Sequence, residues 1–285
     1  MQVIKNIDEL RKTLNCYRKQ HESVALVPTM GNLHDGHLSL VKAAREQADR
    51  LVVSIFVNPI QFGEGEDFSS YPRTEQSDIE MLQQAGVDVV FVPSVEQMYP
   101  SEMLVTVKVT GVSDAYCGQS RPGHFDGVAT VVSKLFNIVQ PDMAFFGEKD
   151  FQQLAIIRQM VLDLNFNIQV QSMPIVREAD GLAMSSRNHY LTSEQRTIAP
   201  KLYQALCQAR DEILSGNRDF ADIEQKQLEF LSQAGFKPDY FSIARQSDLK
   251  KATEQDSDLV ILAAAWLGKP RLIDNLTVSR FKEST

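Results

Sequence analysis

The 285-residue sequence has three cysteines, one tryptophan and no long apolar run. Cys16, Cys117 and Cys207 are odd in number and far apart, which excludes a disulfide framework and a zinc ribbon. They read instead as small buried side chains in a reducing compartment. The longest apolar stretches, Val52 to Val57 and Leu259 to Leu267, fall far short of the roughly 20 residues a membrane helix needs. The N-terminal MQVIKNIDELRK mixes charge into its first turns, so it does not read as a signal peptide, and a cytoplasmic location is expected. Positive charge is also short: 29 Lys and Arg face 37 Asp and Glu, for a net charge of -8. A surface of that sign repels polyanions and argues against a nucleic-acid binder. An anionic small substrate would need a local cluster of cations. With 14 glycines, 11 prolines and 43% hydrophobic residues, the chain is neither disordered nor of low complexity.

What is present is alternation. Residues 24–28, 51–57, 87–92, 143–146 and 168–171 are short, rich in Val, Ile and Phe, and bounded by Pro, Gly, Asp or Asn, which predicts buried strands. Between them, Ile7, Leu10 and Leu14, then Leu38, Val41, Ala44 and Ala48, then Val128, Val131, Leu135 and Ile138 recur at helical spacing. Strands alternating with helices predict an α/β architecture, a parallel sheet with helices on both faces. Ligands of such sheets bind beyond the carboxyl ends of the strands. After Pro174 the texture changes. Residues 191–214 read as one long helix opened by Thr192 or Ser193, residues 219–234 as a second, and 240–244, 259–265 and 272–276 as strands. A domain of 1–175 followed by a smaller α+β domain of 176–285 is expected.

Three segments combine residue types that handle anions. Pro28-Thr-Met-Gly-Asn-Leu-His-Asp-Gly-His37 follows the first strand and runs into a helix, with two imidazoles three apart on one side of its first turn. The helix N-terminus adds N–H groups and partial positive charge suited to phosphate. Exposed loop histidines, or a zinc site lacking its further ligands, are the alternatives. Phe145-Phe-Gly-Glu-Lys-Asp-Phe-Gln-Gln153 again turns from strand to helix. A lysine on a first helical turn is disfavoured by the dipole, so Lys149 has either an anion beside it or solvent around it. Gly181-Leu-Ala-Met-Ser-Ser-Arg-Asn188 offers two hydroxyls and a guanidinium, as a phosphate loop or as a helix cap. A weaker signal, Asn58-Pro-Ile-Gln61, presents an amide after the second strand.

Read together, VPTMGNLHDGH, SIFVNPIQF, YPRT, RPGHFDGV, FFGEKDFQQL, DGLAMSSRN and the late AAAWLGKPRLIDN resemble the pantoate–β-alanine ligases, within the nucleotidyltransferases that carry a His-x-Gly-His motif. The resemblance implies a Rossmann-like domain. It implies a cytoplasmic homodimer that uses ATP with Mg²⁺ to join pantoate to β-alanine through a pantoyl adenylate, releasing AMP and pyrophosphate. Carried onto this sequence, Met30, Gly31, Asn32, Leu33, His34, Asp35, Gly36 and His37 are expected to line the ATP site, with His34, His37 and Lys149 catalytic. Gly147, Glu148, Lys149 and Asp150 are expected to hold the nucleotide, Val176 to meet adenine through its backbone, and Met184, Ser185, Ser186 and Arg187 to close over the triphosphate. Gln61 and Gln153 are expected on pantoate, Gln61 also near β-alanine, with no protein ligand to the metal. The glycine- and aromatic-bearing segment 62–71 suits a gate that keeps water from the adenylate. Two rivals share the ATP motifs: an adenylyl transferase with a phosphorylated acceptor, which the neutral Gln61 and Gln153 suit poorly, and a nucleotide-binding regulator without turnover.

Overall fold

A computed structural model describes residues 1–280. They form two compact units, one of Met1–Glu148 with Gln153–Pro174, the other of Lys149–Gln152 with the chain from Ile175 onward. The first unit contains β1 (Gln2–Ile4), α1 (Ile7–Lys19), β2 (Val24–Thr29), α2 (Asp35–Gln47), β3 (Arg50–Ile55), α3 (Glu75–Gln84) and β4 (Val89–Phe91). After two short helical turns, α4 (Val95–Met98) and α5 (Cys117–Ser120), come α6 (His124–Val139), β5 (Met143–Gly147), α7 (Phe151–Asp163, in this unit from Gln153 onward) and β6 (Gln169–Met173).

The six strands form one parallel sheet in the order β1-β4-β3-β2-β5-β6. Strand parity sorts the core. Ala25, Val27, Leu51, Val53 and Val90 pack with Val41 and Ala44 of α2 and Leu82 of α3. Leu26 and Val52, of opposite parity, are fully buried too, and α1 and α6 pack together on that side. Such burial stabilises by about 2 kcal/mol per large aliphatic side chain. Helix α1 is set by its cap: the Asn6 side chain accepts the Asp8 and Glu9 N–H groups, and Arg18 and Lys19 close the negative end. The parallel sheet and its helices are those expected from the alternation. The three-residue β1 was not anticipated; it is too short to show a pattern and exists through its pairing with β4.

Strand order reverses between β2 and β5, because the chain runs outward through β3 and β4 on one side and through β5 and β6 on the other. The loops after β2, β3 and β5 therefore sit at the place where open parallel sheets bind ligands.

The second unit holds α8 (Ser193–Ile198), α9 (Lys201–Leu214), α10 (Phe220–Gln233) and an antiparallel sheet β7-β8-β9 of Lys237–Arg245, Asp258–Trp266 and Arg271–Ser279. Leu202, Leu206 and Ile213 of α9, Ile223 and Leu231 of α10, and Ile243 and Ile261 of the sheet share its core. The single helix expected over 191–214 is two helices, interrupted at Ala199 and Pro200. Proline lacks the N–H that would continue the ladder, and its ring crowds the carbonyl four residues back. Thr192 caps α8 in a reciprocal box with Gln195, and Asp219 caps α10. A second expectation holds only for Cys117, which is buried; Cys16 is exposed on α1 and Cys207 half-buried, and none of the three is in a disulfide.

Candidate active site

In the first unit the loop after β2 is held from beneath. Thr29 Oγ1 donates to the Ser54 carbonyl at 2.7 Å and accepts the Gly31 N–H at 3.3 Å. Gly31 turns the chain at φ +80°, and a Cβ there would lie 3.0 Å from Asp78 Oδ2 and 3.1 Å from Ile55 Cγ2. Asp78, fully buried on α3, is the clamp. Its two oxygens accept the Asn32 and Leu33 N–H groups at 2.9 Å each, and the Thr74 hydroxyl lies 3.1 Å from both. Asp78 is absent from the residues expected at the site, because an acid on an amphipathic helix carries no signal until the fold turns it inward.

The two histidines then cap α2. His34 is the N-cap and its Nδ1 accepts the Gly36 N–H at 3.1 Å, while His37, at the third helical position, accepts the His34 N–H on its own Nδ1 at 3.3 Å. The ring centroids are 4.1 Å apart. An Nδ1 that accepts carries no proton, so each capping ring is the neutral tautomer protonated at Nε2. The pair is thus preset as two neutral N–H donors at a helix N-terminus. Met30 and Asn32 are half-buried, Gly31 and Leu33 buried, and Asp35 exposed on the first turn.

Gln61, in the 3-10 turn Pro59–Gln61 after β3, is buried and fixed from several sides. Its Oε1 accepts from Asn58 Nδ2 at 3.0 Å and its Nε2 lies 3.2 Å from Met30 Sδ, which joins the loops after β2 and β3. Asn58 Oδ1 accepts the Tyr99 hydroxyl at 2.7 Å; burial pushes that phenol upward, so it stays a donor. The Gln61 carbonyl accepts His124 Nδ1–H at 2.8 Å, His124 Nε2 then accepts from Arg121 at 2.9 Å, and Arg121 grips Glu66 through two contacts of 2.6 Å. Burial tends to raise the Glu66 carboxyl, yet the Arg121 pair holds it below its ordinary range. Gly127 lets α6 touch this turn, since a Cβ there would lie 2.6 Å from the Gln61 Cα. Gly147 ends β5 with no protein atom within 4 Å of where its Cβ would stand, Glu148 accepts from the Ser172 hydroxyl at 3.0 Å, and Gln153 is half-buried on α7.

In the second unit, Lys149 and Asp150 stand in a 3-10 turn, Glu148–Asp150, ahead of α7 rather than on its first α-helical turn. The Lys149 ammonium is 3.9 Å from the Asp150 carboxylate. Val176 and Met184 are neighbours: the Met184 N–H donates to the Val176 carbonyl at 3.0 Å, and Arg177 bridges Ala183. Ser185 caps the turn Ser186–Tyr190 by accepting the Arg187 N–H at 3.2 Å, and Ser186 and Arg187 are half-buried on it. Among the described residues no group of three or more His, Cys, Asp and Glu is arranged to hold a metal ion.

The sequence model of the pantoate-beta-alanine ligase family matches residues 2–277. The chain belongs to that family. It is 55% identical over 280 residues, 98% of each chain, to the pantothenate synthetase of Stutzerimonas stutzeri, and 52% identical to that of Alteromonas mediterranea over 98% of this chain and all of the relative. Its fold is similar to the crystal structure of pantothenate synthetase from Thermus thermophilus, with a TM-score of 0.92 and 45% identity over 97% of this chain and 99% of that one. It is also similar to the pantoate-beta-alanine ligase of Francisella tularensis complexed with beta-gamma ATP and beta-alanine, with a TM-score of 0.83 and 37% identity over 97% of both chains.

Family motifs that the sequence left without a task acquire one in the fold. RPGHFDGV supplies Arg121, His124 and Gly127 around Gln61, and YPRT supplies Thr74 beneath the loop after β2. None of these residues needs to touch a ligand to matter. The signal that marks them is the company they keep in three dimensions.

Proposed function

We propose that this ligase-family chain joins pantoate to β-alanine in two steps, using ATP. A pantoate carboxylate oxygen attacks the α-phosphorus of ATP, forming pantoyl adenylate and releasing pyrophosphate. The β-alanine amine then attacks the acyl carbonyl, and AMP leaves with the electron pair of the broken C–O bond. Adenylation is needed because a carboxylate has no leaving group better than oxide.

The observation that carries the reading is the preset His34–His37 pair at the start of α2. Two neutral donors at a helix N-terminus stabilise charge developing on phosphate without first being desolvated as cations, and one well-aimed donor is worth about 3 kcal/mol in such a step. Lys149 and Arg187 add positive charge and Ser185 and Ser186 neutral donors. Gly147 has no packing partner to forbid a side chain, which fits a backbone approached by ligand. Val176 already accepts the Met184 N–H, so adenine would be met by its N–H or by the second lone pair of its carbonyl. Gln61 and Gln153 supply amides of the neutral kind that a hydroxy acid needs. Mg²⁺ would be held on the nucleotide's own phosphate oxygens, as suits a hard cation that keeps most of its water.

Segment 62–71 is the gate in this reading, with Phe62 packed on Phe68 and Tyr71, and Glu66 latched to Arg121. A cytoplasmic homodimer is proposed as well; Leu104 and Val105, 93% and 78% exposed, are apolar surface that a second copy would cover. The deciding experiment is pyrophosphate release from ATP with D-pantoate, with and without β-alanine. Pantoate-dependent pyrophosphate and AMP, with steady turnover only when β-alanine is added, is the expected result. ATP binding without pantoate-dependent release would sink the choice of acid.

A further inference from the structure

The segment Arg271–Asn275, RLIDN, marks the family in sequence and has no part in the chemistry above. In the fold its last two residues, Asp274 and Asn275, lie within β9 and are each 4% exposed. A buried acid and a buried amide in a sheet cost desolvation that an aliphatic pair would avoid. Their partners account for that cost. Asp274 takes Arg177 in a two-pronged pair of 2.7 and 2.9 Å and also accepts the Asn275 N–H at 2.7 Å. Arg177 in turn donates to the Gly181 carbonyl at 3.0 Å and lies 3.7 Å above the Tyr203 ring. Tyr203 fills the space over Gly181, where a Cβ would come within 2.6 Å of the ring. The narrow turn 177–183 is thereby pinned at its base, and its second arm runs directly into Met184–Arg187. Asn275 acts on the other cationic segment: its Nδ2 donates to the Lys149 carbonyl at 3.0 Å.

Two adjacent residues of one strand thus reach both cation-bearing segments of the second unit, Asn275 by a direct bond to the Lys149 main chain and Asp274 through the Arg177 side chain at the base of the turn that leads into Met184–Arg187. We propose that Asp274 and Asn275 are positioning residues that fix the Lys149 main chain and the Ser185–Arg187 loop in one frame for the phosphates of a nucleotide. The proposal rests on the ATP reading given above for those two segments. The pair touches no reacting atom directly, so its signature is coupling: Asn275 matters through Lys149, and not once Lys149 is gone.

The test is ATP affinity by isothermal titration calorimetry for the full chain and for Asn275→Ala, Lys149→Ala and the double variant. Asn275→Asp is added because it keeps the shape and removes the donor. Loss of a buried hydrogen bond to a binding segment is expected to weaken ATP about tenfold in Asn275→Ala and in Asn275→Asp. The double variant is expected to bind no more weakly than Lys149→Ala, with melting temperatures reported alongside. If one Asn275 variant fails to fold, the other completes the cycle. Additive losses, or Asn275→Asp binding like wild type, would overturn the proposal, as would a wild-type chain that binds no ATP. Pyrophosphate release with pantoate, measured in parallel, separates the two ideas: coupled ATP binding without pantoate-dependent release leaves the positioning role standing and removes the ligase substrates.

Discussion

Asp78 gives the sharpest test of how this fold builds its site. The carboxylate is fully buried and accepts the Asn32 and Leu33 N–H groups and the Thr74 hydroxyl. Asp78→Asn keeps the shape but turns one oxygen into an NH₂ group, so one of the two backbone N–H groups loses its acceptor and faces a donor. One lost charge-assisted bond with a stranded buried donor costs about 2–3 kcal/mol. Asp78→Ala strands both N–H groups and costs about 3–5 kcal/mol. For a unit of this size each kcal/mol lowers the melting temperature by about 2–4 °C. The kinetic effect is expected to be larger than stability alone would give, because the freed backbone leads straight into His34 and a displacement near 1 Å costs about 100-fold in rate. The assay is pantoate-dependent pyrophosphate release at a temperature where both variants are folded by circular dichroism. Asp78→Asn is expected to lose about 10- to 100-fold in turnover, with Asp78→Ala lower. If Asp78→Asn melts and turns over like wild type, the buried carboxylate does not set the loop.

Other perturbations separate capping from chemistry and loop from core. His34→Asn preserves a good N-cap, so its melting temperature should stay within a few degrees while pyrophosphate release falls about 100-fold or more; a fall in stability with intact turnover would make His34 a cap only. Gly181→Ala forces a Cβ onto the Tyr203 ring at φ +92°, and should cost about 1–3 kcal/mol and raise the KM for ATP above that for pantoate; an unchanged KM would disconnect the turn 177–183 from the nucleotide. Glu66 has a folded value depressed below its ordinary 4.5, so its latch on Arg121 contributes fully above that pH and is lost as the pH falls through the lower folded value. Hydrogen-exchange protection factors across 62–71, which divide out the pH dependence of intrinsic exchange, should therefore fall on acidification in wild type, and Glu66→Gln should show the lower protection already at pH 7. Equal protection in the two proteins at pH 7 would mean that the ion pair does not hold the loop.

Much of the first unit is legible in the sequence, because buried parallel strands announce themselves as short Val- and Ile-rich runs with turn residues at both ends. The helix break at Pro200 also has a sequence signal, but the apolar periodicity runs through it, and only the missing proline N–H marks the interruption. The exposure of Cys16 has none, since a helix period does not say how deep a flank sits. The HDGH, GEKD and MSSR segments stand out because helix N-termini, glycines and cations leave a linear trace when chemistry needs them adjacent in the chain.

What the sequence alone determined is the identity of those segments and the strand-to-helix turns that carry them, both products of local spacing. Only the tertiary structure decided what supports them. Asp78 reaches Asn32 across 46 residues, His124 reaches Gln61 across 63, and Asn275 reaches Lys149 across 126. Hydrogen bonds of that separation leave no periodicity to read; they exist because a buried donor must find an acceptor, and only the packed chain says which one is near.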